Sequence, residues 1–179
     1  LLATCALRPH LIFGPRDNNL MTRVVDRAKS GRLPIVGDGT NKVDMTFVDN
    51  AAWAHLDALD ALTSHEAPCA GKAYFISNDE PVELWTWLNE DFLDGLDIPP
   101  VKRRVSLGLA STLGGVMEWA WNTLPLKGEP RMTKFLASAL ARSHWYDMDP
   151  AKKDFKVREA FNIGKTKAGV PLEIYFNKK

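Results

Sequence analysis

The sequence predicts an α/β domain that trails into a mostly helical part, and three observations carry that prediction. The stretch LRPHLIFGPRD, residues 7 to 17, is an apolar strand that runs into a Gly-Pro turn and a charged Arg-Asp pair. Short β-rich pieces then alternate with amphipathic helical spacing as far as residue 80, and beyond it the apolar positions keep to helical spacing. A strand-to-loop junction like the first is where open α/β sheets place their ligands. With 179 residues, 45% apolar and 25% charged, the composition is that of one ordinary globular domain or slightly more.

Residues 3 to 9 alternate and favour a strand that ends at Pro9, whose ring removes a ladder donor. After a loop over 13 to 18, Leu20, Met21, Val24, Val25 and Ala28 recur at three and four, with Gly31 placed as a stop, so 19 to 30 reads as an amphipathic helix. Two short β-rich pieces flank Gly37-Asp38-Gly39-Thr40, whose glycines permit the positive φ angles of a tight turn. Asp49 and Asn50 are placed to cap a helix through His55, Leu56, Leu59 and Leu62. A loop with Pro68 and Gly71 leads to KAYFIS, a buried strand.

Asp79 and Pro81 in SNDEP mark a helix start, because proline suits a first turn whose amide lacks a partner anyway. Trp85, Leu88 and Phe92 give that helix its packing face. Pro99-Pro100 ends the pattern, and after Lys102-Arg103-Arg104 comes the most apolar stretch of the chain, residues 105 to 126. A bilayer span needs about 20 largely apolar residues, and Glu118 with Gly114-Gly115 argues against one. Peripheral lipid contact and a helix buried in its own domain stay open as the other readings. Trp119 and Trp121, two apart, cannot share one helix face. Residues 132 to 141 read as a short helix, SHWYD as a brief strand and DPAKKDF as a capped helical turn.

Charge and cysteine content narrow the function. A formal net charge of +1 with one short basic run gives no cationic face for nucleic acid. Two distant cysteines, Cys5 and Cys69, suit neither a disulfide scaffold nor a zinc site and point to the cytoplasm. The opening LLATCALRP has neither the positive start and apolar core of a signal peptide nor an initiator Met, and a fragment is expected.

The stretches LRPHLIFGPRD, GDGTNKVDMTFVDNAAWAH, GKAYFISNDEPVELWTWL and SHWYD, in this order, resemble the C-terminal half of extended short-chain dehydrogenases, and within them the 3β-hydroxysteroid dehydrogenase group. The resemblance covers residues 5 to 154. It implies a Rossmann-type fold whose C-terminal strands and helices, with interspersed substrate-side elements, occupy 1 to 80. A mostly helical substrate region over 81 to 154 and a divergent tail over 155 to 179 would follow. It also implies an oxidoreductase that uses NAD or NADP on the secondary alcohol or ketone of a 3β-hydroxysteroid or similar lipid. The family's catalytic Tyr, the Lys one helical turn later and the glycine-rich pyrophosphate turn have no counterpart here. Gly108, Gly114 and Gly115 have the wrong spacing, and Tyr175 with Lys179 matches the Tyr/Lys spacing far outside the family position. No catalytic residue is assigned, and the chain alone is expected to show no turnover and to associate through its unpaired sheet edge.

The resemblance places Pro9, His10 and Ile12 at the strand end that borders the nicotinamide, where backbone groups meet its carboxamide. His10 reads as lining a pocket or as plain strand. Leu11, Val43 and Met45 fall on the substrate side. Sugar-nucleotide members carry GDGxQxRDF and RYFNVYGP; Val43 stands at that Arg and Leu11 at that Asn, so an apolar substrate is expected rather than a nucleotide sugar. Lys42, next to Val43 in an extended segment, points to the opposite face. Arg16 and Asp17 read as a solvated loop pair or as facing cofactor phosphate, and Trp85, Trp87, Trp119 and Trp121 as core or as walls of a greasy cleft. The expected partners are a small apolar hydroxy or keto substrate, a membrane surface touched through 105 to 126, and a second copy in a homodimer. A nucleotide-sugar epimerase or dehydratase of the same fold, and a non-catalytic lipid-binding domain, are the alternatives.

Overall fold

The structure, a computed structural model, describes residues 2–155. The expectations for the tail beyond Phe155, Tyr175 and Lys179 included, lie outside the described residues. In chain order the regular elements are β1 (Ala6–Pro9), β2 (Ile12–Phe13), α1 (Leu20–Lys29), β3 (Ile35–Val36), β4 (Lys42–Val43), β5 (Thr46–Phe47), α2 (Val48–Thr63), β6 (Ala73–Ile76) and β7 (Val82–Glu83). They continue with α3 (Leu84–Trp87), a wide π-type turn (Leu88–Leu93), a 3-10 turn (Asp94–Leu96), β8 (Arg104–Val105), α4 (Leu107–Thr123), α5 (Lys134–Ala141) and α6 (Asp149–Asp154). The chain divides into two compact units that interleave: residues 2–23, 44–81 and 145–155 form one, and 24–43 with 82–144 the other.

In the first unit β1 pairs in parallel with β6, from Ala6 opposite Ala73 to Pro9 opposite Ile76, and β2 pairs in parallel with β5. Pro9 stands at the last ladder position, where its missing N–H costs least. The buried face of α2 is built from Ala51, Ala54, Asp57 and Ala58, while Leu56 and Leu59 point outward. Small residues let the helix approach the strands closely, and Ala54 and Ala58 join Cys69, Tyr74, Ile76, Met148 and Phe155 in one apolar cluster. Tyr74 donates its hydroxyl to Asp154, which also holds Lys72. Burial, then the Asp154 carboxylate, pushes the Tyr74 phenol far above its ordinary value.

Three local expectations shift here. The cap residue of α2 is Phe47 rather than Asp49 or Asn50, and the Asn50 side chain instead donates to Asn78 Oδ1. Asp49 still sits in the first turn, where a carboxylate favours the helix dipole. SHWYD shortens from a strand to a single parallel bridge, His144 opposite Val43 with the His144 N–H on the Lys42 carbonyl at 2.8 Å, and the Tyr146 N–H is bonded to Asp44. Asp79 takes a left-handed conformation at φ 58° and pairs with Lys152 rather than starting a helix.

The second unit accounts for that delay. The chain after Pro81 first forms β7, antiparallel to β4, and the helix begins only at Leu84. The two pieces beside Gly37 and Gly39, whose φ values are 82° and 79°, do not pair with each other. β3 pairs instead with β8, a strand the sequence pattern does not announce, and β4 with β7. Trp85, Trp87, Leu88 and Phe92 are all buried, which settles the first two tryptophans as core. Helix α4 starts on a Ser106 cap and α5 on a Thr133 cap. The two helices touch at Gly114, where an added Cβ would lie 2.6 Å from the Thr133 backbone. Among the described residues no helix is long and apolar enough to cross a membrane, so the 105 to 126 stretch is not a span.

Candidate active site at the carboxyl ends of the first-unit strands

Where β1 ends, the peptide groups of His10 remain in the sheet: its N–H donates to the Ile76 carbonyl at 2.9 Å, and its carbonyl accepts the Thr46 hydroxyl at 2.6 Å. Leu11 then leaves the extended region at φ 42°, a strained conformation for a branched aliphatic residue and one that clusters at functional sites. Ile12 pairs with Thr46 and keeps an exposed side chain. Gly14 is required because an added Cβ would lie 2.5 Å from Val48 Cγ1. Beyond it a shallow cleft of about 300 Å³ runs along Phe13, Pro15, Asn18 and Val48 to the start of α1.

Asp17 is the cap of that helix. Its Oδ1 accepts the N–H groups of Asn19 and Leu20 at 2.7 and 3.0 Å, and its Oδ2 accepts that of Met21 at 3.0 Å. A carboxylate so occupied satisfies the orphan amides of the first turn, so Asp17 belongs to the helix rather than to an ion pair with Arg16.

The strongest electrostatic feature is one the sequence reading passed over. Asp44, only 1% exposed, accepts His10 Nδ1 on Oδ1 at 2.6 Å and the Tyr146 N–H on Oδ2 at 3.0 Å. The Asp44 carbonyl also lies 2.8 Å from His10 Nδ1. Burial opposes the charged carboxylate, yet hydrogen bonds from His10, the Tyr146 amide and Ser77 outweigh it and hold Asp44 below the ordinary carboxylate value. Because both neighbours of His10 Nδ1 are acceptor oxygens, that nitrogen carries the proton. Tyr146 meets the His10 ring edge-on at 4.9 Å and stacks on Phe75 at 3.9 Å.

Asn78, two residues past β6, completes the strand ends. Its Oδ1 accepts the Phe47 N–H at 2.9 Å and Asn50 Nδ2 at 2.7 Å, while its own Nδ2 is buried with no hydrogen-bond partner. Two donors on one oxygen fix the amide's orientation. A buried donor left over costs about 1–3 kcal/mol, which a folded protein tolerates chiefly where a ligand or water completes it.

The sequence-predicted residues are only partly gathered here. Pro9, His10, Leu11 and Ile12 stand together at the end of β1. Met45 is completely buried in the same unit; Val43 is completely buried in the other, opposite Val82 in β4, with Lys42 exposed on the facing side as alternation requires. Asp44, Thr46 and Asn78 were missed because each acts through a partner distant in sequence; the only trace is the polar alternation of VDMTF.

The profile of the 3-beta hydroxysteroid dehydrogenase/isomerase family matches residues 1–108. The chain is 50% identical to the 2-alkyl-3-oxoalkanoate reductase of Stenotrophomonas maltophilia (strain K279a), over 86% of this chain and 46% of that protein. It is 35% identical to the mouse sterol-4-alpha-carboxylate 3-dehydrogenase, decarboxylating, over 87% of this chain and 43% of that protein. Among solved structures it resembles the UDP-glucuronic acid 4-epimerase from Bacillus cereus in complex with NAD, at a TM-score of 0.56 and 15% identity, over 94% of this chain and 43% of that one. At that identity the likeness concerns the Rossmann-type fold alone. The chain thus spans less than half the length of these relatives, and it belongs to the 3-beta hydroxysteroid dehydrogenase/isomerase family.

Proposed function

We propose that the chain is the substrate-side half of an NAD(P)-linked oxidoreductase that interconverts the ketone and secondary alcohol of a lipid-like β-keto or β-hydroxy acid. The observation that carries this reading is the 50% identity to a 2-alkyl-3-oxoalkanoate reductase. That name and the sterol-4-alpha-carboxylate dehydrogenase name describe one shared fragment: an oxygen-bearing carbon whose neighbour carries a carboxylate and a carbon branch. The steroid expected from the sequence is then one member of a wider class.

When bound, the nicotinamide would supply or receive the hydride at the oxygen-bearing carbon. The residues of this chain bind and orient. The turn at Leu11 ends β1, its carbonyl accepts the Thr46 N–H at 3.3 Å and Ile12 enters β2, so Pro9, His10 and Ile12 stay together at the strand end proposed to border the carboxamide. Leu11, standing where the sugar-nucleotide pattern has Asn, favours an acyl or sterol body over a diphosphate. The test uses the full-length protein with NADH or NADPH and three substrates: a 2-alkyl-3-oxoalkanoate, a 3-keto sterol 4-carboxylate and a UDP-sugar. Reduction of a keto acid is expected; turnover of the UDP-sugar alone would overturn the reading.

A second proposal concerns the other unit: α4 rests on an anionic lipid surface. Leu109, Leu113, Val116 and Trp119 are exposed along one helix face, Trp119 at 65%, and Phe135 at the start of α5 at 81%. The exposed positions of α4 carry no charged side chain, while exposed Lys127, Arg131 and Lys134 follow it and Lys102 and Arg103 precede it. Cations beside an apolar stripe suit anionic headgroups and repel a second copy of the same surface. Sedimentation with phosphatidylserine vesicles should carry the protein down, less so in high salt; a salt-indifferent dimer without vesicle binding would refute it.

A further inference from the structure

We propose that Cys5 and Cys69 form a site of oxidative modification, at which a peroxide joins the two sulfurs in a disulfide that ties the start of β1 to the turn before β6. The proposal is independent of the reaction above. Its basis is a juxtaposition that the sequence, with more than sixty residues between the two cysteines, does not announce. Two backbone hydrogen bonds straddle Cys5: the Gly71 N–H donates to the Thr4 carbonyl at 2.7 Å, and the Ala6 N–H to the Lys72 carbonyl at 2.9 Å. The ladder continues with Ala6 opposite Ala73, so Cys5 lies beside Lys72 one rung earlier. The Lys72 N–H bonds in turn to the Cys69 carbonyl at 3.2 Å, a tight turn that brings Cys69 back to that rung.

The side chains converge as well. Alternation carried back from β1 puts Cys5 on the face of Leu7, and both pack against the apolar cluster to which Cys69 belongs. Cys69 is completely buried there, its thiol donating to the Ala58 carbonyl of α2 at 3.8 Å, whereas Cys5 is half-buried. Burial first, and then the Cys5 thiol beside it, pushes the Cys69 thiol above its ordinary value. Cys5 is therefore the sulfur that an oxidant reaches. With hydrogen peroxide, one oxygen atom passes to the Cys5 sulfur, giving a sulfenic acid and a first water. The Cys69 sulfur then displaces the sulfenic hydroxyl, which leaves with the Cys69 proton as a second water. Two thiols have lost two electrons, and one peroxide has become two waters. Burial makes Cys69 a slow nucleophile toward anything in solution, which leaves the adjacent sulfur as the partner it can reach. The finished bond closes a long loop and constrains the unfolded chain more than the folded one. Both thiols stand at the amino ends of two parallel strands, away from the carboxyl ends that hold the candidate site.

The test treats the reduced full-length protein with hydrogen peroxide and maps its peptides by mass spectrometry without reduction. We expect a peptide pair joined through Cys5 and Cys69, lighter by two hydrogens than the reduced pair and separated again by dithiothreitol. The joined pair should be absent from Cys5→Ser and from Cys69→Ala, and Cys5→Ser carries the control if the buried substitution fails to fold. The oxidised wild type should also melt about 5 °C later than the reduced protein, a shift that Cys5→Ser does not show. Peroxide that leaves both thiols free would overturn the inference. So would a Cys5 that advances to the sulfinic acid, or joins another cysteine or a second molecule, while Cys69 stays reduced. A joined protein that melts no later than the reduced one would overturn the claim that the folded chain fits the bond.

Discussion

The carboxyl ends of the first-unit strands and the α4–α5 pair of the second unit solve opposite problems. At the strand ends polar groups are crowded inside: Asp44, Thr46, Ser77 and Asn78 are all buried, and nearly every donor among them is answered by a named acceptor. In α4 and α5 the fully buried positions are Ala110, Gly114 and Ala137, with Leu107 and Leu140 packed half-buried against that cluster, while Leu109, Leu113, Val116, Trp119 and Phe135 face outward. The lesson is that burial does not rank these residues by hydrophobicity. The strand ends use their interior for orientation, which a site for chemistry requires; α4 leaves an apolar stripe outside, the observation on which the proposed lipid contact rests.

The largest effect that would break this contrast comes from Asp44→Ala. Removing the acid leaves His10 and the Tyr146 amide without their acceptor, and a loss of about 3 kcal/mol in urea unfolding is expected at neutral pH. The sign with pH follows from the lowered carboxyl. Stability from the ionised Asp44 is fully present above its ordinary value of 3.8 and is lost as pH falls through the lower folded value, so the gap between wild type and variant should narrow in acid. A gap that stayed constant from pH 7 down to the acid limit would show that the charge contributes nothing.

Gly114→Ala tests the other region, since its Cβ would meet Thr133 backbone at 2.6 Å and a backbone cannot step aside as a side-chain tip can. Thermal unfolding should show a loss of about 2 kcal/mol from overpacking. Thr46→Val keeps the shape and removes the hydroxyl that serves two carbonyls, for about 1–2 kcal/mol. The smallest effect sharpens the comparison most. Trp119→Ser should change stability by less than about 0.5 kcal/mol, as for any surface position, yet reduce vesicle binding. A variant that unfolds markedly earlier would mean that Trp119 is structural.

What the sequence disclosed follows the range of the interactions involved. β1, α1 and the Gly14 turn were legible because they rest on local pattern and conformational need. The helix placed at Asp79 was displaced because Val82 and Glu83 pair with β4, some forty positions back in the chain, and β8 went unannounced because its partner is β3. The Gly37–Gly39 turn was recognised as a turn but not as one that separates strands of different sheets. At the site, Pro9 to Ile12 were found by position, whereas Asp44 and Asn78 matter through residues at least 28 positions away, a distance no periodicity spans.

The interleaving of the two units has a consequence for how the chain reaches its native form. Its path passes from one unit to the other at 23–24, 43–44, 81–82 and 144–145, so neither unit is ever a continuous length of polypeptide. Residues 44–81 join 2–23 only after the excursion 24–43, and 145–155 join them only after 82–144. Each return closes a loop whose entropy cost grows with the logarithm of its length, and contacts of such sequence separation slow folding. During synthesis the first unit therefore waits for its last segment, α6 and Phe155 included, before its apolar cluster is complete. A stop codon or a protease cut near residue 81 would leave two unfinished cores rather than one finished domain.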